Sequence, residues 1–480
     1  MVVTKTILGR RTGVSAQLLH ERDDAAELLV HALAQLPDNV QVSVPASAAL
    51  RPRLELLARA YQIDQRLTFD EGASDGLLED LILDGRSIAE VVELLGSAED
   101  LPSSLRDDDE MFEGHRVAVI TNVPTHYRVP LFAGMARRLA AAGGEFRVYF
   151  LSDVPAKREW MRTESLEFDH EILKSIDLRR DRGRRLMPIN LARRLDDFRP
   201  TLLLTGGFSP LVGARVAAYA GRREIPFGVW SGEIASRPTA QSRARRIQRK
   251  WIVDRAAFAI SYGWESARYL RSLRGDLPLV IGRNTTPTRP PPARATESKT
   301  LELLTVGRAE RGKALDVILT AVSKLTGVSW RLTVIGDGPE LEKLIRDADP
   351  RVRFLGARPF DEVLEAHSRA DVFLFPSRYD VFGLVLVEAM GAGAAVVVSR
   401  AVGAVADLAV DSVNAVVMED HNPQSWADAI ARLARDHELR STLGENAQAT
   451  IGDRWTMEHA VDSMLAGLRL PLLRGKSRAR

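Results

Sequence analysis

Apolar runs of four to six residues recur along most of this 480-residue chain, and between them lie stretches whose apolar positions fall three and four apart. Runs of the first kind predict strands buried on both faces of a parallel sheet, and stretches of the second kind predict the helices that cover it. From His115 onward, strands are expected at Arg116 to Thr121, Phe146 to Leu151, Leu202 to Thr205, Pro226 to Val229 and within RAAFAISYG at 255–263. Helices are expected over PLFAGMARRLAAAG, where Pro130 suits a first turn, near 189–197, over 210–221 and over WESARYLRSL. The order restarts at LELLTVGR (301–308) and runs through ALDVILTAVSKL, WRLTVIG, LEKLIRDA and RVRFLG. A helix with Asp361 as its expected N-cap follows, then strands at Asp371 to Phe375 and Ala394 to Val398 with a helix at Leu384 to Met390 between them. Residues 423–436 and 438–449 read as helices. Strands alternating with helices of these lengths predict an α/β chain with two doubly wound parallel-sheet domains.

Punctuation sets the boundaries. Residues 97–114, SAEDLPSSLRDDDEMFEG, are acidic and rich in turn formers and read as a linker, as do the proline-rich residues 287–299. The expected divisions are an N-terminal extension over 1–112, a first domain over 113–288, a second over 299–455, and a C-terminal helix with a basic, disordered tail over 456–480. A hinge at the second linker would let the two halves close on a ligand. Within the extension, the helix AAELLVHALAQL (25–36), the strand Val40 to Val44, the helix Leu54 to Tyr61 and the strand Arg66 to Phe69 repeat the order of residues 314–356. The extension therefore reads as a degenerate partial copy of the later half, with Pro45, Ala46 and Ser47 where that half has Gly336, Asp337 and Gly338.

A formal net charge of +2 implies no bulk polyanion partner, so any basic surface must be local. The chain has no cysteine, which excludes a disulfide framework and a thiolate metal site. No run of eighteen apolar residues and no signal-peptide pattern is present, and the expected location is cytoplasmic. Two clusters stand out against the near-neutral balance, RRDRGRRLMPINLARR (179–194) and RARRIQRK (243–250). Such runs are most often solvated faces; in this domain they could instead dock on an anionic membrane surface or grip a lipid-linked acceptor. Without a recognisable module or interleaved aromatics they do not point to nucleic acid.

The candidate chemistry centres on DVFLFPSRYDVFGLVLVEAMGAGAAVVVSR, residues 371–400. A turn leading into a helix offers free backbone N–H groups to a phosphate, and carboxylates beside it can accept hydrogen bonds from sugar hydroxyls. This stretch resembles the signature of the retaining GT-B glycosyltransferases of family four (glycosyl transferases group 1), two acids eight positions apart around Phe-Gly-Leu. Asp380, Phe382, Gly383, Leu384 and Glu388 occupy those positions; the shorter acid at 380 and Val381 in place of glycine depart from the pattern. Gly307, Arg308 and Lys313 at the strand-to-helix junction resemble the family's diphosphate-binding segment. The eroded turns at Val402, Gly403 and Ala404 and at Asp411 to Ala415 resemble two others.

The resemblance covers about residues 113–470. It implies transfer of a sugar from a nucleoside diphosphate sugar, as co-substrate, to a hydroxyl acceptor with retention, in glycan, polysaccharide or glycolipid biosynthesis, with no obligatory metal or other cofactor. It assigns Arg308 and Lys313 to the diphosphate, where fixed cations stabilise the leaving group, the amides of Gly383 and Leu384 to phosphate or sugar, Glu388 to ribose and Asp380 to the donor sugar. Gly336, Gly338 and Gly356 are the expected neighbours of the nucleoside. On the acceptor side the loop NVPTHYR has no glycine, so Asn122, Thr125, His126 and Arg128 must act through side chains; for His126, a loop histidine satisfied by backbone is an equal reading. Gly206, Gly207, Ser231 and Glu233 end two further strands, and Glu233 is the candidate base, with a structural carboxylate as the alternative. The competing reading of the whole is a non-catalytic relative that binds nucleotide sugar or scaffolds, supported by the eroded motifs.

Overall fold

The computed structural model describes residues 5–7, 10–12, 42–44, 67–69, 111–153, 166–178, 186–237, 242–291 and 300–478. Near the N-terminus β1 (Lys5–Ile7) pairs antiparallel with β2 (Arg10–Thr12), and β3 (Val42–Val44) pairs parallel with β4 (Leu67–Phe69). Both strands of the second pair fall within the segments expected to be strands, Val40 to Val44 and Arg66 to Phe69. The expected helices at 25–36 and 54–61, residues 97–110 of the first linker and most of the 287–299 linker lie outside the described residues, as do 179–185 of the first basic cluster.

The remaining residues form two compact units: one ends at Arg283 and resumes at Met457, and the other runs from Asn284 to Thr456. The first is built on β5 (Arg116–Thr121), β6 (Glu145–Phe150), β7 (His170–Ile172), β10 (Leu202–Gly206), β11 (Phe227–Ser231), β12 (Phe258–Ser261) and β13 (Leu279–Ile281), with β8 (Ser175–Asp177) and β9 (Leu186–Pro188) as a separate antiparallel pair. Its sheet has the order β13-β12-β11-β10-β5-β6-β7, every neighbour parallel. The central strands are buried along their whole length, which is why they read as unbroken apolar runs.

The second unit repeats the plan with β14 (Leu301–Val306), β15 (Trp330–Ile335), β16 (Val352–Gly356), β17 (Val372–Phe375), β18 (Ala395–Ser399) and β19 (Val416–Met418) in the order β16-β15-β14-β17-β18-β19. The order reverses between β5 and β10 in the first sheet and between β14 and β17 in the second. In open parallel sheets the loops diverge at such a reversal and leave a crevice at the strands' carboxyl ends.

Several local expectations are corrected. Helix Phe360–Arg369 begins after Pro359, which fixes the entry dihedral as its N-cap, and Asp361 lies in the first turn instead. The C-terminal helix Met457–Arg478 continues through the segment expected to be a disordered tail. It lies on the first unit, where Gly134 and Gly467 admit it: a Cβ would lie 2.6 Å from Val461 at the former and 2.4 Å from Ile260 at the latter. Arg138 donates to Asp462 at 2.9 Å.

Trp455 closes the second unit. Its indole Nε1 donates to Asn284 O (3.1 Å), its carbonyl accepts from Thr285 Oγ1 (2.8 Å), and its ring stacks on Phe382 at 6.3 Å between centroids.

Burial, reinforced by the Arg283 guanidinium, holds the His459 imidazole down at about 3, against an ordinary 6.5. Burial also pushes the Asp462 carboxyl up, opposed by Arg138, with Arg283 and Glu458 facing the same cluster. Below pH 6.5 the unfolded chain takes up a proton that the folded imidazole refuses, so stability falls as pH drops from about 6.5 towards 3. The raised Asp462 acts in the opposite sense in its own lower range. The unfolding free energy is therefore expected to fall by about 1–2 kcal/mol between pH 7.5 and 5 through this group. Denaturant titrations at the two values, on the wild type and His459→Gln, measure it; an unchanged pH dependence in the variant would contradict the assignment.

Candidate functional site

The crevice at the β14/β17 reversal is lined by Thr305 to Arg308, Lys313, Leu315, Val334, Ile335 and Phe375 to Ser377. Lys313 closes a single 3-10 turn, Arg311–Lys313, before helix Leu315–Ser323, and its Nζ lies 2.5 Å from Asp380 Oδ2. Two predicted site residues 67 positions apart thus meet directly. Arg308 lies beside them at the loop surface, half-exposed, with Glu310 its partner at 3.3 Å. Ser377, fully buried in the lining, has no hydrogen-bond partner for its hydroxyl.

Helix Leu384–Gly391 starts at Gly383, whose φ of +96° and contacts with the Phe375 ring (2.7 Å from a Cβ) leave no room for a side chain. Its first amides have no intrahelical acceptor, as at any helix start. Phe382 faces inward, 2 % exposed and stacked on Trp455, so it shapes the loop from below and offers no ring to a ligand. Glu388 is also interior: its Oε2 lies 3.4 Å from Nε2 of the fully buried His367, which packs on Phe373.

The glycines expected beside a nucleoside serve the backbone. A Cβ at Gly336 would lie 1.9 Å from Gly307 O, and one at Gly338 would lie 2.4 Å from Ala309 O. Their absence lets three loops knit together through Gly307 N to Ile335 O (2.9 Å), Ala309 N to Asp337 O (2.9 Å) and Gly336 N to Gly356 O (2.8 Å). The eroded turns keep their structural members. Gly403 N and Ala404 N donate to Asp380 O and Phe382 O, and the Asp411 and Asn414 side chains accept from Val417 N and Val410 N.

In the first unit the predicted residues gather at the carboxyl ends of β5, β10 and β11. Asn122 is exposed, and His126 is half-buried with its ring edge-on to Tyr127. Gly207, at φ +76°, donates to Trp230 O at 2.7 Å. Ser231 Oγ accepts from Glu233 N (3.1 Å), and Glu233 Oε2 is engaged by buried Arg249 (3.1 Å) and by Arg237 (3.3 Å). Arg128 opens helix Arg128–Ala141, with Nη1 donating to Thr121 Oγ1 (2.6 Å) and Nη2 to Tyr262 Oη (2.8 Å). Ser377, His367, Thr121 and Tyr262 were not singled out in the sequence. Tyr262 had a readable cue, because it follows a buried strand directly; His367 had none.

Among the described residues no group of three His, Cys, Asp or Glu side chains could hold a metal ion, and no helix is long and apolar enough to cross a membrane.

Two doubly wound parallel sheets, each with a reversal of strand order beside its first strand, define a GT-B fold. The fold is shared with sucrose-phosphate synthase from Thermosynechococcus elongatus (TM-score 0.59, 19 % identity, 76 % of this chain and 100 % of that one). It is shared too with Anabaena HepE, crystallised with UDP and glucose (TM-score 0.56, 16 % identity, 76 % and 99 %). Residues 291–450 match the family model described as glycosyl transferases group 1. Similar curated proteins include a D-inositol 3-phosphate glycosyltransferase of Corynebacterium kroppenstedtii, 34 % identical over 35 % of this chain, and an uncharacterized glycosyltransferase of Methanocaldococcus jannaschii, 30 % identical over 30 %. The matches span about two fifths of those relatives' own lengths, 42 % and 41 %.

The loop knot predicts a sharp asymmetry between glycines of one unit. Gly336→Ala, with φ +136° and a carbonyl in the way, should cost about 3 kcal/mol or more. Gly452→Ala, in helix His437–Arg454 with nothing within 4 Å, should stabilise by about 0.5–1 kcal/mol. Thermal melts of both variants decide it, and equal melting points would contradict the close approach.

Proposed function

We propose that this chain is a glycosyltransferase that moves a sugar from a nucleoside diphosphate sugar to a hydroxyl acceptor with retention at the anomeric carbon, in glycan biosynthesis. One observation carries the reading: Lys313 and Asp380 meet at the β14/β17 crevice, beside the amide-rich start of helix Leu384–Gly391. In this reading the donor's diphosphate takes Lys313 from Asp380 and gathers Arg308 and the Gly383 and Leu384 amides around it. These groups stabilise the charge that develops as the glycosidic bond breaks. Asp380, released, accepts from a hydroxyl of the donor sugar. Glu388, with one oxygen 3.4 Å from His367 Nε2, meets the ribose with the other. Gly307, Gly336, Gly338 and Gly356 let the loops around the nucleoside close up.

The acceptor would be taken by the other unit through Asn122, His126, Arg128, Gly206, Gly207 and Ser231. Glu233, with two guanidinium groups on one oxygen, is better suited to holding helix Arg243–Val253 than to removing a proton. That helix exposes Ile247 (70 %) and Trp251 (38 %) beside its arginines and lysine, a combination that suits an anionic membrane surface and a lipid-linked acceptor. A second reading, nucleotide-sugar binding without transfer, is supported by the same two contacts: Lys313 holds Asp380, and Glu388 faces inward.

Thermal shift and nucleoside diphosphate release with UDP-, GDP-, ADP- and dTDP-sugars separate the two. UDP, the nucleotide bound in Anabaena HepE, is the first to test. One donor at a hundred times its Kd should stabilise the native chain by about 2.7 kcal/mol, and Lys313→Ala and Glu388→Ala should each weaken that binding about tenfold or more. Slow release of diphosphate supports transfer, binding without turnover under any acceptor supports the second reading, and no shift with any nucleotide overturns both.

A further inference from the structure

The carboxyl edge of the first sheet holds a charge that no carboxylate among the described residues neutralises. Arg128 is 8 % exposed and has no carboxylate partner among the described residues. Two of its five N–H groups donate, to Thr121 and Tyr262, while Nε, fully buried, meets no acceptor. Arg249, just as buried in the same unit, has Glu233 at 3.1 Å. The surroundings of Arg128 are hydroxyls and rings: its guanidinium lies 5.2 Å from the centre of Trp230 and 5.7 Å from that of Tyr127. Burial pushes the Tyr262 phenol up, so that group accepts a hydrogen bond as a neutral hydroxyl and brings no negative charge.

The cage is built around the guanidinium. A Cβ at Gly206 would lie 2.7 Å from Thr121 Oγ1, and one at Gly232 would lie 2.3 Å from the Tyr262 ring. A side chain at either place would displace one of the two hydroxyls that orient the fork. Hydroxyls and aromatic faces return less than a guanidinium loses on leaving water, and an anion would supply the rest. A guanidinium fixed at two corners, with N–H groups to spare, matches the tetrahedral oxygens of a phosphate. Its place completes the case: Thr121 and Gly206 end β5 and β10, the strands that flank the reversal.

We propose that Arg128, held by Thr121 and Tyr262 against Trp230, is a phosphate-binding subsite of the first unit, and that the acceptor hydroxyl is borne by a phosphorylated molecule. The phosphate site stands on its own geometry; its assignment to the acceptor rests on the transferase reading.

The test titrates inorganic phosphate against chloride at fixed ionic strength and follows the melting point of the full chain. Phosphate should raise the wild-type melting point saturably. Arg128→Gln should lose at least tenfold in phosphate affinity, and Tyr262→Phe, which keeps the ring and removes the hydroxyl, several-fold. Lys174→Gln, on an exposed loop of the same unit, should respond like the wild type. If Arg128→Gln does not fold, Arg128→Lys replaces it: weaker phosphate binding is expected, and affinity equal to the wild type would overturn the forked geometry. No phosphate response in the wild type, or an undiminished one in Arg128→Gln, overturns the subsite. UDP binding is then measured with and without saturating phosphate. Additive shifts support an acceptor phosphate, whereas mutual exclusion gives Arg128 to the donor's diphosphate and overturns the acceptor assignment. UDP binding without phosphate tests the transferase reading separately, so either can fail alone.

Discussion

Parallel strands joined by right-handed crossovers can be laid down in only one direction until the chain returns to its first strand and builds outward on the other side. Both sheets are made this way, and in each the return leaves the first strand central, β5 in one and β14 in the other. The loops after the first strand and after its returning neighbour then lead to opposite faces, which opens a gap at the strand ends between them. That gap collects Lys313, Asp380 and Ser377 in the second unit and Thr121, Arg128 and Gly206 in the first. The chemistry depends on a constraint of connectivity, and the side chains tune what it provides.

Much of the architecture was legible because a strand buried on both faces must be apolar throughout. Ala395–Ser399 and Val372–Phe375 were bounded within a residue or so by their runs of valine, leucine and phenylalanine. Short edge pieces such as His170–Ile172 and Ser175–Asp177 gave no such signal, since exposure on one side permits nearly any residue. The members of the candidate site could be named from local sequence, but their contacts could not. Whether Lys313 reaches Asp380, or Glu388 turns towards His367, depends on the rotation of one helix against another and on a register set by the whole sheet. Phe382 shows the same limit: an aromatic at a loop apex suggests a ligand contact, and only the position of Trp455 shows that it faces inward. The degraded turn at Asp411 to Ala415 has the opposite lesson, for the two side chains it retains, Asp411 and Asn414, are those that bind backbone.

The two reversals handle charge differently. In the second unit a lysine already has a carboxylate within contact distance, so any anion that reaches Lys313 must compete with Asp380, and a dianion competes better than a singly charged group. In the first unit the buried guanidinium of Arg128 meets, among the described residues, hydroxyls and rings. Glu233, the nearest sequence candidate for an acid there, is committed to Arg249 and Arg237.

The contacts of Trp455 bear on how the second unit could be handled. Its side-chain and backbone hydrogen bonds tie the place where the chain leaves the unit to Asn284 and Thr285, where it enters. A compact body whose two ends meet is topologically a cassette. Residues 284–456 could be lifted out as one piece, or joined end to end by a short linker and reopened elsewhere, with both sets of ladder bonds intact. The second unit would thus be portable into another host chain without disturbing the strand order on which its crevice depends.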